Sequence, residues 1–232
     1  NSFFLLVITL IISIPLSTGA GIYLAEYSKK GRLTNFIRTC IEILSSLPSV
    51  VVGLFGYLIF VVQFEYGFSI LSGALALTVF NLPQMTRNVE DSLRHVHHTQ
   101  REAGLALGIS RWETVLHVVI PEALPGIVTG IVLASGRIFG EAAALIYTAG
   151  QSAPALDWSN WNPFSVTSPI SIFRQAETLA VHIWKVNSEG TIPDGTLVSA
   201  GSAAVLLIFI LIFNLAARRI GKVLHRKLTS AQ

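Results

Sequence analysis

The 232 residues are 52% hydrophobic and only 12% charged, with a mean hydropathy of +0.62. Soluble domains carry about 25% charged residues, so this composition excludes an ordinary water-facing domain and points to an all-α, polytopic membrane protein. The net charge of +3 and the pI near 9.2 do not indicate nucleic acid, because the charges fall in clusters between long apolar runs.

The chain starts at Asn1 and enters an apolar run at Phe3 with no basic stretch before it, unlike an intact signal peptide. Crossing the hydrocarbon takes about 20 helical residues. Five segments have the composition for it: 3–24, 40–62, 69–85, 124–148 and 197–217. The third is the weakest, since Asn81, Pro83 and Gln84 interrupt its end. Cys40, the single cysteine, excludes an internal disulfide and reads as a buried, inert thiol.

Lysine and arginine set the orientation. The first connection carries Lys29, Lys30, Arg32 and Arg38, and the second carries none. The third carries Arg87, Arg94, Arg101 and Arg111, and the tail Arg218, Arg219, Lys222, Arg226 and Lys227. The fourth, 149–196, has only Arg174 and Lys185 against four carboxylates. By the positive-inside rule, segment 86–123 and the C-terminus are cytoplasmic and 149–196 is an external loop. Its Trp158, Trp161 and Trp184 suit a membrane–water interface. Five spans would put Asn1 outside, so a sixth span ahead of it is expected.

The third connection is the most informative. Residues 102–107 form helix readily, Gly108 ends that helix, Ser110 caps a second one, and Pro121 closes the second before the next span. With little bulk at Ala103, Gly104 and Ala106, the short helix fits a partner's groove, with Leu105 and Leu107 as anchors. A plain interfacial hairpin fits the same residues.

The run Glu102-Ala103-Gly104, three residues, Gly108, nine residues, Val118-x-Ile120-Pro121 resembles the EAA motif of ABC importer permeases. That motif reads Glu-Ala-Ala, three residues, Gly, nine residues, Ile-x-Leu-Pro. Gly104, Val118 and Ile120 depart from it. Further stretches, including 21–27, 47–54 and 136–141, are similar to phosphate-specific permeases of the type I (MetI-like) fold, above all the PstA-type subunit. The resemblance implies six helices in a full subunit and a bacterial cytoplasmic-membrane location. It implies a coupling helix in which Glu102, Ala103, Gly104, Leu105, Leu107 and Gly108 meet a separate ATPase. It also implies three partners: a second, PstC-like permease, a PstB-like ATPase dimer and a PstS-like phosphate-binding protein. ATP and Mg would bind at the ATPase and no cofactor at this chain, which is not an enzyme. Consistently, the chain has no Gly-x-x-x-x-Gly-Lys-Ser/Thr run.

Three ionisable residues fall within the expected spans: Glu42, Arg137 and Glu141. Each costs about 2.5–3.5 kcal/mol at a helix centre unless partnered or wet. Arg137 and Glu141, spaced i, i+4, have two readings: a self-neutralising structural pair, or a place on the substrate path. On the path, the planar donor fork of Arg137 would hold a tetrahedral oxyanion. Glu42 reads as structural, Gly126/Gly130 and Gly136/Gly140 as close-packing pairs, and His95, His97 and His98 as a solvated face rather than a metal site. The alternatives to phosphate are another oxyanion, such as molybdate or sulfate, or a different class altogether. A secondary transporter would need paired repeats and mid-membrane ion-coupling carboxylates. A non-transporting scaffold would have no use for a coupling-like helix and a buried Arg137.

Overall fold

The structure, a computed structural model, describes residues 1–29, 31–190 and 193–229, apart from the side chains of 224 and 227–229. Lys30 and the Lys227 side chain, counted above for orientation, lie outside the described residues. The elements are all helical, with no strand among the described residues. They run α1 (Ser2–Ile22), α2 (Arg32–Ser45), α3 (Ser49–Gly56), α4 (Ile70–Arg94), α5 (His98–Ala106), α6 (Arg111–Thr114), α7 (Ile120–Gly140), α8 (Ala143–Thr148), α9 (Leu179–Glu189) and α10 (Gly195–Thr229). Widened π-helical turns follow α1 (Tyr23–Tyr27), α3 (Tyr57–Gln63) and α6 (Val115–Val119).

Among the described residues, three helical stretches are long and apolar enough to cross a membrane: Ser2–Tyr27, Arg111–Gly140 and Gly195–Val223. Arg32–Ser45 together with Ser49–Gln63 makes a fourth if the broken pair counts as one span. The sequence expectation needs correcting at three places. Segment 40–62 is not one helix, because the chain leaves helical geometry between Ser45 and Ser49, where Pro48 is extended (φ −61°, ψ 139°). Helix α4 does not stop at Pro83 but runs on to Arg94. Asn81, read as a breaker, instead donates Nδ2 to the Leu77 carbonyl inside the same helix (2.9 Å). Nor does Pro121 end a helix: Arg111–Gly140 is continuous through Pro121 and Pro125. Proline clashes with the carbonyl four residues back, and the π turn at Val115–Val119 lies where Pro121 would collide with His117.

Contacts divide the chain into two compact units. The first comprises Asn1–Ser13, Ser46–Asn81 and Ser135–Leu211. Its core is built on small residues that let backbones touch, the packing mode that suits lipid surroundings. A methyl added to Gly53 would lie 2.7 Å from Ala144 Cα, and one on Gly56 2.8 Å from Ala76 Cβ. One on Gly73 would meet Ala149 Cβ at 2.9 Å. In this unit segment 149–196 is not all loop. Thr178 caps α9 by accepting from the Val181 N–H (3.3 Å), and Gly190 ends it in the left-handed region (φ +59°). Trp158, Trp161 and Trp184 are exposed there. Arg174 is buried and donates to Asn1 Oδ1 at 2.9 Å, and burial lowers its pKa.

The second unit comprises Ile14–Ser45, Leu82–Ala134 and Ile212–Gln232. Its core joins Ile22, Val89, Leu93, Val96, Val115, Val119, Ala123 and Ile127. The glycine pair expected to allow close approach does so here: a methyl on Gly126 would meet Ser92 Oγ at 2.6 Å, and one on Gly130 Asn88 Cβ at 2.9 Å. Gly136 and Gly140 have nothing within 4 Å of that position, so they are not packing contacts in this chain. Cys40 is half-buried rather than buried.

Candidate coupling surface and candidate path residue

The α5–α6 hairpin follows the local sequence closely. Gly108 takes the left-handed conformation (φ +80°), the turn glycine makes at no steric cost. Ser110 then forms a complete capping box with Glu113: Ser110 Oγ accepts from the Glu113 N–H at 3.2 Å, and Glu113 Oε2 accepts from the Ser110 N–H at 2.9 Å. Hydrogen bonding by the Ser110 hydroxyl, and then by the Ser110 backbone N–H, holds the Glu113 carboxyl below the usual carboxylate range.

Of the six residues expected on the coupling helix, Glu102, Ala103, Leu105, Leu107 and Gly108 are exposed and Gly104 is buried. Gly104 departs from the alanine of the motif because Thr114 sits against it; a methyl there would lie 2.7 Å from Thr114 Cγ2. Leu107 is 82% exposed, and Leu105, Trp112 and Leu116 are exposed as well. Trp112 and Leu116 were not singled out from the sequence, although an apolar residue at each position was there to be read. Glu102 pairs with His98 at 3.1 Å on the solvent side. A recess of about 200 Å³ between α5 and α6 is lined by Glu26, Arg101, Glu102, Leu105 and Arg111, among others.

Two further carboxylates of this unit are paired. Glu90, buried, accepts from Arg38 (2.7 Å) and Arg94 (3.0 Å), and Glu42 is ion-paired with Arg87. Glu42 is therefore half of a structural pair, as its position suggested. The three histidines do not gather: His95 Nδ1 bonds the Asp91 carbonyl (2.6 Å) and His98 bonds Glu102. Among the described residues no set of three His, Cys, Asp or Glu is placed to hold a metal.

Arg137 and Glu141 do not form the expected pair. Helix α7 ends at Gly140, so the i, i+4 geometry that would bring them together does not extend to Glu141. Glu141 Oε1 accepts instead from the Ala144 N–H (3.2 Å) at the start of α8. The Arg137 guanidinium lies over the Phe80 ring, 4.0 Å from its centroid, and no carboxylate pairs with it among the described residues. Such stacking is worth about 0.5–2 kcal/mol. It covers one face of the guanidinium and leaves its N–H edge open, on a side chain that is exposed.

A family model described as "Binding-protein-dependent transport system inner membrane component" matches residues 17–230. The chain is 58% identical over 230 residues to the "Probable ABC transporter permease protein YqgI" of Bacillus subtilis, covering 99% of this chain and 78% of that one. It is 34% identical over 226 residues to the "Phosphate transport system permease protein PstA" of Xylella fastidiosa, covering 94% and 72%. The PstA of Haemophilus influenzae matches at 34% over 218 residues. In fold, the chain is similar to the methionine ABC transporter MetNI in an inward-facing conformation, with TM-score 0.68 and 18% identity over 96% of this chain and 90% of that one.

The fold is all-α and of the MetI type, and the matched family is one of membrane transport components rather than enzymes. The chain belongs to the family of binding-protein-dependent transport system inner membrane components and is an ABC importer permease subunit. ATP hydrolysis in such systems falls to a separate subunit, and a substrate-binding protein delivers the cargo.

Proposed function

We propose that this permease forms part of the translocation path for inorganic phosphate, and that its α5–α6 hairpin docks the partner ATPase. The observation that carries the cargo reading is the state of Arg137: an exposed guanidinium with one face on Phe80, no paired carboxylate and an open N–H edge. A planar donor fork of this kind matches a tetrahedral oxyanion by paired hydrogen bonds, and with no fixed counter-ion its donors are free to take one up. The PstA relatives support phosphate as the cargo. Glu141, between α7 and α8, accepts from the Ala144 N–H and is not the counter-ion of Arg137.

On the docking side, Leu105, Leu107 and Trp112 supply an exposed apolar surface and Glu102 a polar contact beside it. In this reading 86–123 and the C-terminus are cytoplasmic, 149–196 faces outward, and ATP and Mg bind only at the ATPase. The other partners are a second, PstC-like permease and a PstS-like binding protein, with a PstB-like dimer as the ATPase.

A permease for sulfate or molybdate would use the same hairpin and the same arginine. The test is uptake into proteoliposomes holding the assembled transporter. ATP-driven phosphate uptake should exceed that of sulfate and molybdate by at least about tenfold. Equal uptake of the three anions, or preference for one of the others, would refute phosphate while leaving the permease intact.

A further inference from the structure

The inner side of the α5–α6 hairpin carries an arrangement that docking does not need. Arg101 immediately precedes the exposed Glu102, yet its own side chain is 19% exposed and turns inward. Its Nε and Nη2 donate to Glu26 Oε1 at 3.0 and 2.9 Å. Its Nη1 donates to the Val96 carbonyl and its Nη2 also to the Leu93 carbonyl, both at 2.6 Å. Those carbonyls lie in the last turn of α4 and just beyond it, where helix ends leave acceptors open to further donors.

Glu26 lies in the π turn that ends α1, and its side chain is only 6% exposed. A carboxylate that deep is stable only when paired and bonded, and Arg101 is its ion partner. The adjoining backbone is held in the same way. Arg111, at the start of α6, donates to the Glu26 carbonyl and places its guanidinium 5.1 Å from the Tyr27 ring centroid. Arg94 reaches the Leu24 carbonyl at 3.4 Å. One guanidinium, that of Arg101, thus ties the end of α1, the end of α4 and the start of α5 together.

Glu26 lies in one π turn, Tyr23–Tyr27 after α1, and a second, Val115–Val119, follows α6, whose Arg111 holds the Glu26 carbonyl. Such turns hold one residue more than an α turn and concentrate at functional positions in helices. Residues beside both turns share one core, through Ile22 on one side and Val115 and Val119 on the other. A rigid polar tie from α5 to the turn at the end of α1 transmits displacement instead of absorbing it.

We propose that the Glu26–Arg101 pair is the strut through which movement of α5, driven by the docked ATPase, reaches α1. Glu26 and Arg101 are positioning residues: they touch neither cargo nor ATP and do not form the docking surface. The proposal rests on the docking reading of α5, and the experiment separates the two.

The assembled transporter is reconstituted in a Cys40→Ser background, with spin labels at Thr99 on α5 and at Tyr23 at the end of α1, both exposed positions. In the otherwise unaltered transporter, ATP binding shifts both labels. In Glu26→Gln, which keeps the size and an acceptor but loses the charge, Thr99 still shifts and Tyr23 does not. ATP hydrolysis stays within about twofold while uptake per ATP falls about tenfold. Arg101→Lys keeps the charge but loses the fork, so it gives an intermediate loss and serves as the second variant. If Tyr23 follows Thr99 undiminished in both variants, the strut is wrong and docking stands. If hydrolysis and uptake fall by the same factor, the pair only maintains the fold and the strut is again wrong. If Thr99 ignores ATP in the unaltered transporter, the docking reading fails and the strut falls with it.

Discussion

The arginines around the α5–α6 hairpin and the arginine of α7 have opposite surroundings. Arg101 meets one carboxylate and two carbonyls, Arg38 and Arg94 share Glu90, and Arg111 has the Glu26 carbonyl and the Tyr27 ring. Arg137 has an aromatic ring and an open edge. A guanidinium whose donors are all engaged by fixed oxygens holds backbone in place. One whose donors are open can take up an anion and let it go, because no partner has to be rebuilt at each step. The same side chain serves as mortar in one region and, in the proposed function, as a transient ligand in the other, and the difference lies in which acceptors the fold supplies.

That contrast can be broken at several points. The largest effect is expected at the exposed end of the hairpin. Leu107→Asp puts a charge in the docking surface and should lower co-purification of the ATPase by at least about a hundredfold without altering insertion in the membrane, since Leu107 is 82% exposed. Unchanged co-purification would remove α5 from the interface. Gly104→Val comes next: its side chain collides with Thr114, and overpacking of this kind costs about 1–3 kcal/mol. Thermal unfolding should show the loss, and Thr114→Ala in the same chain should return part of it.

On the other side of the comparison, Phe80→Leu keeps apolar bulk and removes the ring face beneath Arg137. With stacking worth about 0.5–2 kcal/mol, the uptake KM should rise a few-fold while ATP hydrolysis is unchanged. The smallest effect belongs to the cap. Ser110→Ala should cost about 1 kcal/mol of local stability, seen as faster amide exchange in α6. The Glu113 carboxyl has its pKa lowered in the fold, so its share of the capping box is complete above the ordinary carboxylate range. That share disappears as pH falls through the lowered value. In Ser110→Ala the hydroxyl's share is lost and the backbone N–H bond remains, so that acid sensitivity of α6 should shrink without vanishing.

What could be read from the sequence was what neighbours in the chain decide. The turn at Gly108 and the cap at Ser110 depend on spacings of a few residues and are present as the spacing implies, and Leu105 and Leu107 are exposed. The prolines misled, because a π turn upstream of Pro121 keeps the helix running where an α turn would have clashed. The i, i+4 rule misled at Arg137 because it holds only inside a helix, and α7 stops one residue short of Glu141. The contacts that give Glu26, Glu42 and Arg137 their meaning join residues far apart in sequence, 75 positions for Glu26 and Arg101 and 45 for Glu42 and Arg87. No local pattern announces such pairs. Gly104 is the instructive intermediate: its departure from the alanine of the motif was visible, but its reason, Thr114, was not.

The most direct test of the account is ATP-driven phosphate uptake by the reconstituted transporter carrying Arg137→Gln, with assembly of all subunits verified. Glutamine keeps a donor and the helix but loses the charge and the fork. The account predicts that uptake falls at least about a hundredfold while the ATPase remains bound and able to hydrolyse ATP. Undiminished phosphate uptake in that variant would contradict it.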